Sequence, residues 1–594
     1  MRNQSGLIIG CILCLTILYH HLLIAQPAIS RNSNLSNDPL FRLNFQKQST
    51  TWNWLGRFSH QNHESSSAWY WQVNETFESN LLIPSVGKKQ WKDENHFRAR
   101  FLIKHGDWRS GIYTRSWLQS DRQVSLDNRF GNHAIGLKSQ LDPNQHFTFT
   151  PYMGYQQSRN RKITDWGWDV GIDGETRNLR LGQYRTDINA KSEYDFYDKR
   201  QNFQNQFDIR FGTRFTDFAR DSLSFSFQET SKQYYAADSK NLLQVKLYDR
   251  HFRNKLLYNI TPRNLLTVNT RIQSRYISYF SGRNVFLIEN NVRFLHFGNR
   301  FNYVFSFRSN EETQDNAESF TDSQAKRTAL GTQLGYRFNN RQSIHFDIDY
   351  IKLQYDTPDD ENFDDRDEQR FILNLDYHHR FSPYLKMEWF TYAYLFHQIY
   401  IFKERSNNNN WNQVFKLNPR IHYEYKRLKN TLSTEILANY TIYDFENGQQ
   451  VKSFVFRKYT LSDSIRYRAF GRVFLGLFGR IELEDKGSFF KEDFAQQIVQ
   501  SYRSYFLNGF IENRYFLKFK VRLGYTRYMR KEWRHLPQKQ KYREVINHGP
   551  YLNISYDAPG RMVFSAHSSL NLLEDSRGPS SRYGTGYLRL YYNL

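Results

Sequence analysis

The chain has 594 residues, of which 39% are hydrophobic and 17% aromatic, and its formal net charge is +23. The aromatic content excludes a disordered chain, because disordered segments are poor in aromatic residues. A soluble multidomain protein this rich in phenylalanine and tyrosine would carry more leucine, alanine and valine. A barrel with a wet interior needs apolar side chains on its outward face only, so the composition favours one very large β-barrel.

Residues 1–25 have the features of a signal peptide. Arg2 supplies the positive start, and residues 7–18 form the apolar run that such a signal needs. The only two cysteines of the chain, Cys11 and Cys14, lie inside this segment. The mature chain would therefore have neither a disulfide framework nor a cysteine metal site.

The sequence after the signal divides into two parts. Residues 26–65 are rich in serine and asparagine, and we expect them to form a periplasmic N-terminal extension. The alternative is that this segment adds one early strand to the barrel near Trp52 to Phe58. We expect residues 66–594 to form the barrel itself, as a single domain.

Apolar residues alternate with polar ones along most of the chain from Trp69 onward. The pattern is clear in the segments 97–103, 207–211 and 473–483. Neighbouring side chains of a strand point to opposite faces, so each of these segments would have one apolar and one polar face. A helical period sustained over three turns is not evident in this region, so the pattern predicts antiparallel strands.

The predicted connections alternate between short turns and longer loops. Turns at 339–340, 382–383 and 428–430 precede loops at Asp356–Glu368, Arg405–Asn412 and Glu446–Lys452. Transmembrane barrels have short periplasmic turns and longer extracellular loops. We therefore expect a periplasmic N-terminus and an acidic loop, Asp356–Glu368, that faces the outside of the cell.

Tyr515 to Thr526 shows the alternation most completely. The apolar face carries Leu517, Phe519, Val521 and Leu523 between two tyrosines, and the other face carries Lys518, Lys520 and Arg522. Transmembrane strands need about 9–11 residues and place aromatic residues at both lipid interfaces. A half-exposed strand of a soluble sheet would explain this one segment, but the repetition along the chain favours a membrane barrel.

The last predicted strand carries the resemblance to a known class. Leu588, Leu590, Tyr592 and Leu594 share one face, and the strand ends with the chain. It resembles the closing strand of Gram-negative outer-membrane β-barrel proteins, which usually end in phenylalanine. The resemblance covers about residues 66–594 and implies an outer-membrane location, contact with outer-membrane lipid and recognition by the barrel assembly machinery. Chain length then predicts an all-β, single-chain antiparallel transmembrane barrel of about 22–26 strands.

Basic side chains recur on the face opposite the apolar one. A charged side chain facing lipid near the midplane costs roughly 2–4 kcal/mol, so we expect these residues to line the lumen. They are Arg98, Arg100, Arg210, Arg214, Arg472, Arg480, Lys518, Lys520 and Arg522. Rings of arginine and lysine make anion-selective pores. The alternative is that they brace the wall by pairing with acidic residues such as Asp208, Asp376 and Glu482.

The acidic loop Asp356–Glu368 is the one candidate for a metal site. Hard cations such as calcium bind several carboxylate oxygens, and the candidate ligands are Asp359, Asp360, Glu361, Asp364 and Asp365. The spacing of an EF-hand is absent, and the alternative is an ordinary solvated loop. We expect no cofactor besides a divalent cation at this loop.

The sequence contains no motif of a catalytic site. Gly-rich phosphate loops, His-Glu-x-x-His and Gly-x-Ser-x-Gly are all absent, so we expect no enzyme. We expect a channel or exporter biased to anionic solutes or glycans. The alternatives are a structural or assembly barrel in a surface complex, a barrel-borne hydrolase, or a soluble glycan-binding β protein. The basic residues are spread along the chain, which argues against nucleic-acid binding.

Overall fold

The computed structural model describes most of the chain. The described residues are 41–48, 51–66, 68–84, 89–122, 127–161, 163–236, 241–279, 281–317, 321–446, 452–516, 519–558 and 562–592. The predicted signal peptide lies outside them, as do Leu517, Lys518 and Leu594. Within the described residues, no helix is both long enough and apolar enough to cross a membrane.

The described residues form 28 strands and one short helix. The first half of the chain contains β1 Phe41–Gln48, β2 Thr51–Ser65, β3 Trp69–Ile83, β4 Gln90–His105, β5 Trp108–Arg122, β6 Asp127–Asn144, β7 Phe147–Asn160, β8 Ile163–Leu181, β9 Tyr184–Tyr197, β10 Gln201–Arg214, β11 Ala219–Tyr235, β12 Leu242–Thr261, β13 Asn264–Tyr279 and β14 Ser281–Phe297. The second half contains β15 Phe301–Asn316, β16 Ser323–Asn339, β17 Gln342–Asp356, β18 Arg366–Arg380, β19 Leu385–Tyr400, α1 Lys403–Ser406, β20 Asn410–Tyr425, β21 Leu428–Tyr443, β22 Phe454–Phe470, β23 Val473–Phe490, β24 Ala495–Phe516, β25 Phe519–Arg534, β26 Gln540–Ala558, β27 Met562–Asp575 and β28 Ser581–Tyr592.

The strands form one closed barrel. Each strand pairs antiparallel with the next along the chain, and β1 pairs antiparallel with β28, which closes the sheet. In that closing pair Phe41 lies opposite Tyr592 and Leu43 opposite Leu590. Closure leaves no strand edge unpaired. The predicted fold class, an all-β antiparallel barrel, is confirmed, and the 28 strands exceed the predicted range of about 22–26.

Two strands come from the segment that we expected to be a periplasmic extension, and the alternative of an early strand near Trp52 to Phe58 is confirmed by β2. Residues 41–65 form β1 and β2, so the barrel begins at Phe41 and not at residue 66. In β1, Phe41, Leu43 and Phe45 alternate with polar residues over only eight positions. So short an alternation in a segment rich in serine and asparagine gives a weak signal, and the segment becomes a strand because both its edges are paired.

The connections follow the predicted turns closely but not fully. The turn predicted at 382–383 lies within the connection 381–384, whereas the turns predicted at 339–340 and 428–430 lie at 340–341 and at Lys426-Arg427. The longest connections are 357–365, 401–409 and 444–453. The first is shorter than its predicted loop, the second begins and ends earlier, and the third extends beyond both predicted ends. The acidic loop is the one shortened, because Asp356 belongs to β17 and residues 366–368 belong to β18.

The apolar side chains lie on the outer surface of the barrel. Large apolar residues are exposed at alternate positions, as for Ile135 (62%) and Leu137 (69%) in β6. Exposed aromatic residues such as Phe218, Phe381 and Phe470 lie where strands meet short turns. An apolar belt with aromatic residues at its border is the lipid-facing surface of a transmembrane barrel. The architecture is that of a Gram-negative outer-membrane protein, and the chain lies in the outer membrane.

Candidate functional site

The wall of the barrel curves tightly over strands β4–β11, which we call the packed arc. Arg115 on β5 lies 2.6 Å from Glu193 on β9, measured between Nη1 and Oε1. These strands are four positions apart, roughly 19 Å along a sheet with strands about 4.8 Å apart. Side chains can meet over that distance only on the concave side of a strongly curved wall. The polar side chains of the packed arc therefore lie on the inner face.

Glycines allow neighbouring strands of the packed arc to approach closely. A Cβ atom at Gly136 would lie 2.2 Å from the carbonyl oxygen of Met153, and one at Gly167 would lie 1.9 Å from that of Phe196. No other residue type fits at these distances. Glycine inside a strand typically marks a sharp bend or a close backbone approach. These positions are where the wall of the packed arc bends.

Two further glycines make room for tyrosines on the inner face. A Cβ atom at Gly154 would lie 2.6 Å from the hydroxyl oxygen of Tyr113, and one at Gly171 would lie 2.2 Å from Cζ of Tyr152. Both tyrosines are buried, and their rings meet edge to face at 5.6 Å. The Tyr113 hydroxyl donates a hydrogen bond of 2.8 Å to Asp169. The glycine positions thus create the space in which the polar cluster forms.

Arg115 is surrounded by three carboxylates. Besides its contact with Glu193, its Nη2 atom lies 3.1 Å from Asp169 and 3.6 Å from Asp195. The Asp169 side chain is fully buried, and Glu193 is also paired with Lys191 at 2.9 Å. Within the described residues, this is the one group of three potential metal ligands that lie close together. Arg115 already supplies a cation to all three, so we assign these carboxylates the role of fixing the guanidinium.

A second network fastens the packed arc near the ends of its strands. Arg200, in the connection between β9 and β10, donates hydrogen bonds to Asp165 on β8 (2.8 Å) and Ser158 on β7 (2.6 Å). Tyr235 on β11 donates to the other oxygen of Asp165 at 2.7 Å. The Arg200 guanidinium also lies over the Tyr197 ring at 4.1 Å. Four strands are held together by one buried carboxylate and one arginine.

Two cavities adjoin Arg115 on the inner face. The first has a volume of about 280 Å³ and the second of about 320 Å³. Arg98 and Arg115 line both. Charged and aromatic residues lining the first also include Arg100, Tyr113, Lys138, Tyr152, Asp173 and Lys191. The first cavity therefore has many more basic than acidic groups in its wall.

The opposite charge arrangement occurs in strands β12–β28, which we call the open arc. Glu512 on β24 is fully buried and is contacted by four basic side chains. Arg514 lies at 3.0 Å, Lys520 at 3.6 Å and the Nε atom of Arg522 at 2.9 Å, with Arg466 as the fourth partner. These basic side chains are 27–42% exposed. One carboxylate cannot neutralise four cations, so the cluster keeps an excess of positive charge.

The structure brings some of the sequence-predicted basic residues together and separates others. Lys520 and Arg522 meet at Glu512, while Arg100 bonds to the neutral residues Gln72 and Tyr70. Arg98 and Arg210 have no hydrogen-bond or ion-pair partner in the described part of the chain. Lys518 lies outside the described residues. The assignment of the whole set to the lumen stays a prediction.

The expected bracing pairs form in part. Arg480 lies 3.6 Å from Glu482, which is also paired with Lys458 at 3.0 Å, and Arg214 pairs with Asp217 in the next turn. Asp208 instead accepts a hydrogen bond from its neighbour Gln206. Arg472 does have a contact within the chain. Bracing and an excess of basic residues therefore coexist.

Carboxylates of the acidic loop are engaged in local contacts. Asp365 accepts hydrogen bonds from the backbone and hydroxyl of Thr357, and Asp364 pairs with Arg405 at 2.8 Å. Asp359 accepts a hydrogen bond of 3.0 Å from the backbone of Glu361. No three carboxylates of this fully described loop converge within ligand distance. A divalent cation at Asp359, Asp360, Glu361, Asp364 and Asp365 stays a prediction.

The carboxylate cluster around Arg115 was missed at the level of sequence. Its carboxylates lie on β8 and β9, and no linear spacing connects them to Arg115 on β5. A signal does exist in β8, where residues 165–173 read Asp-x-Gly-x-Asp-x-Gly-x-Asp. Three acids and two glycines on one face of a strand, in a strongly basic chain, indicate an inner face that is both bent and acidic.

Comparisons with known proteins add only distant structural matches. No protein-family profile matches the chain, and no curated protein matches it. The copper transporter OprC is 9% identical over 86% of this chain and 89% of its own, with a TM-score of 0.35. The siderophore receptor PirA from Pseudomonas aeruginosa is 8% identical over 84% and 82%, with a TM-score of 0.35, and the FrpB iron transporter from Neisseria meningitidis is 7% identical over 82% of each chain, with a TM-score of 0.36. With TM-scores of 0.35–0.36, these matches do not support a statement about the fold or role of this chain. The fold is established by the strand pairing of the chain itself.

Proposed function

We propose that the chain is an outer-membrane channel that passes small solutes with a preference for anions, without covalent catalysis. The proposal rests on one observation, the cluster that Glu512 forms with Arg466, Arg514, Lys520 and Arg522. Four basic side chains surround one carboxylate, and all four are partly exposed to solvent. Partly exposed positive charge beside a wall of low dielectric raises the local concentration of anions.

The connections between strands support an open path. Between the strands of the described part of the chain, the longest connections, 357–365, 401–409 and 444–453, have at most ten residues and are too short for a folded domain. The polar network of the packed arc lies on the concave side of the wall and takes up part of the interior. Whatever path remains is therefore defined by the wall itself, and its selectivity depends on the side chains of the strands.

Ion selectivity in a planar bilayer tests this function. The reversal potential in a potassium chloride gradient should show that chloride passes in preference to potassium. The preference should weaken at 1 M salt, where the Debye length is about 3 Å instead of about 10 Å at 0.1 M. Combining Lys520→Gln with Arg514→Gln should also weaken it, while Arg466 and Arg522 still hold Glu512.

A charge-neutral double variant provides the matched control. Lys416 and Glu435 form an ion pair of 2.8 Å on β20 and β21. Lys416→Gln combined with Glu435→Gln removes both charges and leaves the net charge unchanged, so selectivity should stay as in the original chain. A cation-selective pore would contradict the proposed function. A folded barrel without any conductance would favour the structural or assembly role instead.

A further inference from the structure

Two arginines lie opposite each other on β4 and β5, and acidic side chains contact only one of them. Arg98 lies directly opposite Arg115 in the strand register. Like charges at directly opposite positions destabilise a sheet. Three carboxylates compensate Arg115, as described above. The side chain of Arg98 is exposed and has no hydrogen-bond or ion-pair partner among the residues that the structure describes.

A second arginine on the same face also lacks a carboxylate. Arg100 donates hydrogen bonds to Gln72 Oε1 at 2.8 Å and to the Tyr70 hydroxyl at 3.0 Å. Both partners are neutral, so they orient the guanidinium but leave its charge in place. Arg98 and Arg100 are two residues apart on one strand, which separates their Cα atoms by roughly 6.6 Å. That spacing allows one small anion to contact both guanidinium groups.

The first cavity provides the space for such an anion. Its volume is about 280 Å³, and both arginines contribute to its lining. Asp173, the acidic residue in that lining, lies 3.6 Å from Lys138, so its charge already has a partner. Tyr113 and Tyr152 form a rigid, buried part of the wall. A volume just below the usual range of ligand pockets suits a small solute.

We propose that this cavity binds a small dianionic oxyanion, a phosphate, phosphate monoester or dicarboxylate, between Arg98 and Arg100. The planar guanidinium group donates two parallel hydrogen bonds to a carboxylate or phosphate, which lysine cannot do. The carboxylates around Arg115 keep that third guanidinium fixed at the side of the site. This inference rests on the proposed function, the passage of anions, and it adds one defined anion-binding site to that path.

Calorimetric titration of the full-length barrel in detergent micelles tests the site. The probes are inorganic phosphate, a hexose phosphate and succinate, and at least one should bind saturably with one site per chain. Arg98→Gln should weaken this binding about tenfold, because it removes a charge-assisted hydrogen-bond pair. Arg98→Gln combined with Arg100→Gln should remove it. Arg98→Lys should restore only part of the affinity.

Arg210 provides the matched control. It is an exposed arginine on the polar face of β10 without a partner among the described residues, and it lines neither cavity. Arg210→Gln changes the net charge as Arg98→Gln does, so it should leave the affinity unchanged. Equal losses in both variants, or no saturable binding of any probe, would overturn the site. Chloride selectivity in bilayers is measured separately, so failure of this site and failure of the proposed function give different results.

Discussion

The packed arc and the open arc each contain a cluster of charged side chains, and the sign of the central charge differs between them. In the packed arc one cation, Arg115, is enclosed by three carboxylates, and Asp169 is fully buried. In the open arc one buried carboxylate, Glu512, is enclosed by four basic side chains that remain partly exposed. The contacts also differ in reach, because Arg115 on β5 meets Glu193 four strands away on β9, whereas Glu512 on β24 meets Arg466 two strands away on β22.

This difference shows that one strand pattern can build two kinds of wall. Where glycines such as Gly136 and Gly167 let neighbouring strands approach closely, polar side chains meet across several strands, and Asp169 and Glu193 are only 0% and 16% exposed. In the open arc the same alternation leaves the four basic partners of Glu512 27–42% exposed. Buried ionic networks depend on complete pairing, whereas exposed ones are weakened by solvent screening. Equivalent substitutions should therefore have unequal effects in the two arcs.

Removing the central residue of each cluster should give the largest contrast. We expect Arg115→Gln to lower the free energy of unfolding by about 4 kcal/mol, because it leaves buried carboxylates beside one another. We expect Glu512→Gln to cost about 2 kcal/mol, because water screens the partly exposed cations that remain. Urea titrations of the barrel in lipid vesicles, followed by tryptophan fluorescence, would measure both values.

The Lys416→Gln, Glu435→Gln double variant serves as the reference for that comparison. It removes a partly exposed pair from the open arc and should change the free energy of unfolding by less than about 1 kcal/mol. If Glu512→Gln proved as costly as Arg115→Gln, solvent exposure would not distinguish the two arcs. The proposed difference in stability between the clusters of the packed arc and the open arc would then be wrong.

A valine at Gly136 should show whether glycine produces the bend. The new side chain would meet the backbone of β7, so we expect a loss of about 3 kcal/mol or failure of the barrel to close. Gly509 in the open arc is the control, since a Cβ atom there has no neighbour within 4 Å. Gly509→Val should be close to neutral. Gel mobility with and without heating reports closure, and a fully closed, stable Gly136→Val barrel would refute the role of the bend.

Much of the fold could be predicted from local pattern. Arg522 and Leu523 differ in exposure as the alternation requires, and the turn predicted at 382–383 lies in the connection between β18 and β19. The strand count could not be predicted as well, because β1 has only three apolar positions and gains its order from β2 and β28. Local alternation identifies strands, but closure of the sheet decides which weak segments join it.

The two charged clusters were harder to predict from the sequence than the fold. Lys520 and Arg522 could be recognised as basic residues on one face, but their contact with the buried Glu512 depends on how β22, β24 and β25 come together. The contact between Arg115 and Glu193 depends on how far the sheet bends over four strands. The alternating glycines and aspartates of residues 165–173 indicate a bend in β8, but no spacing along the chain gives which residues of other strands the bend brings together. Sequence thus indicates which residues carry charge, and curvature decides which of them meet.

The smallest effect should occur where neither curvature nor burial contributes. Arg405, in the 401–409 connection, pairs with Asp364 of the acidic loop at 2.8 Å, and both side chains are more than a third exposed. We expect Arg405→Gln to lower the free energy of unfolding by at most about 0.5 kcal/mol, because solvent and salt screen an exposed pair. Repeating the urea titration at 0.1 M and 1 M salt checks this, since the small difference should vanish at the higher concentration. A loss as large as that of Glu512→Gln, unaffected by salt, would mean that the loop contact supports the wall in the same way as the buried clusters do.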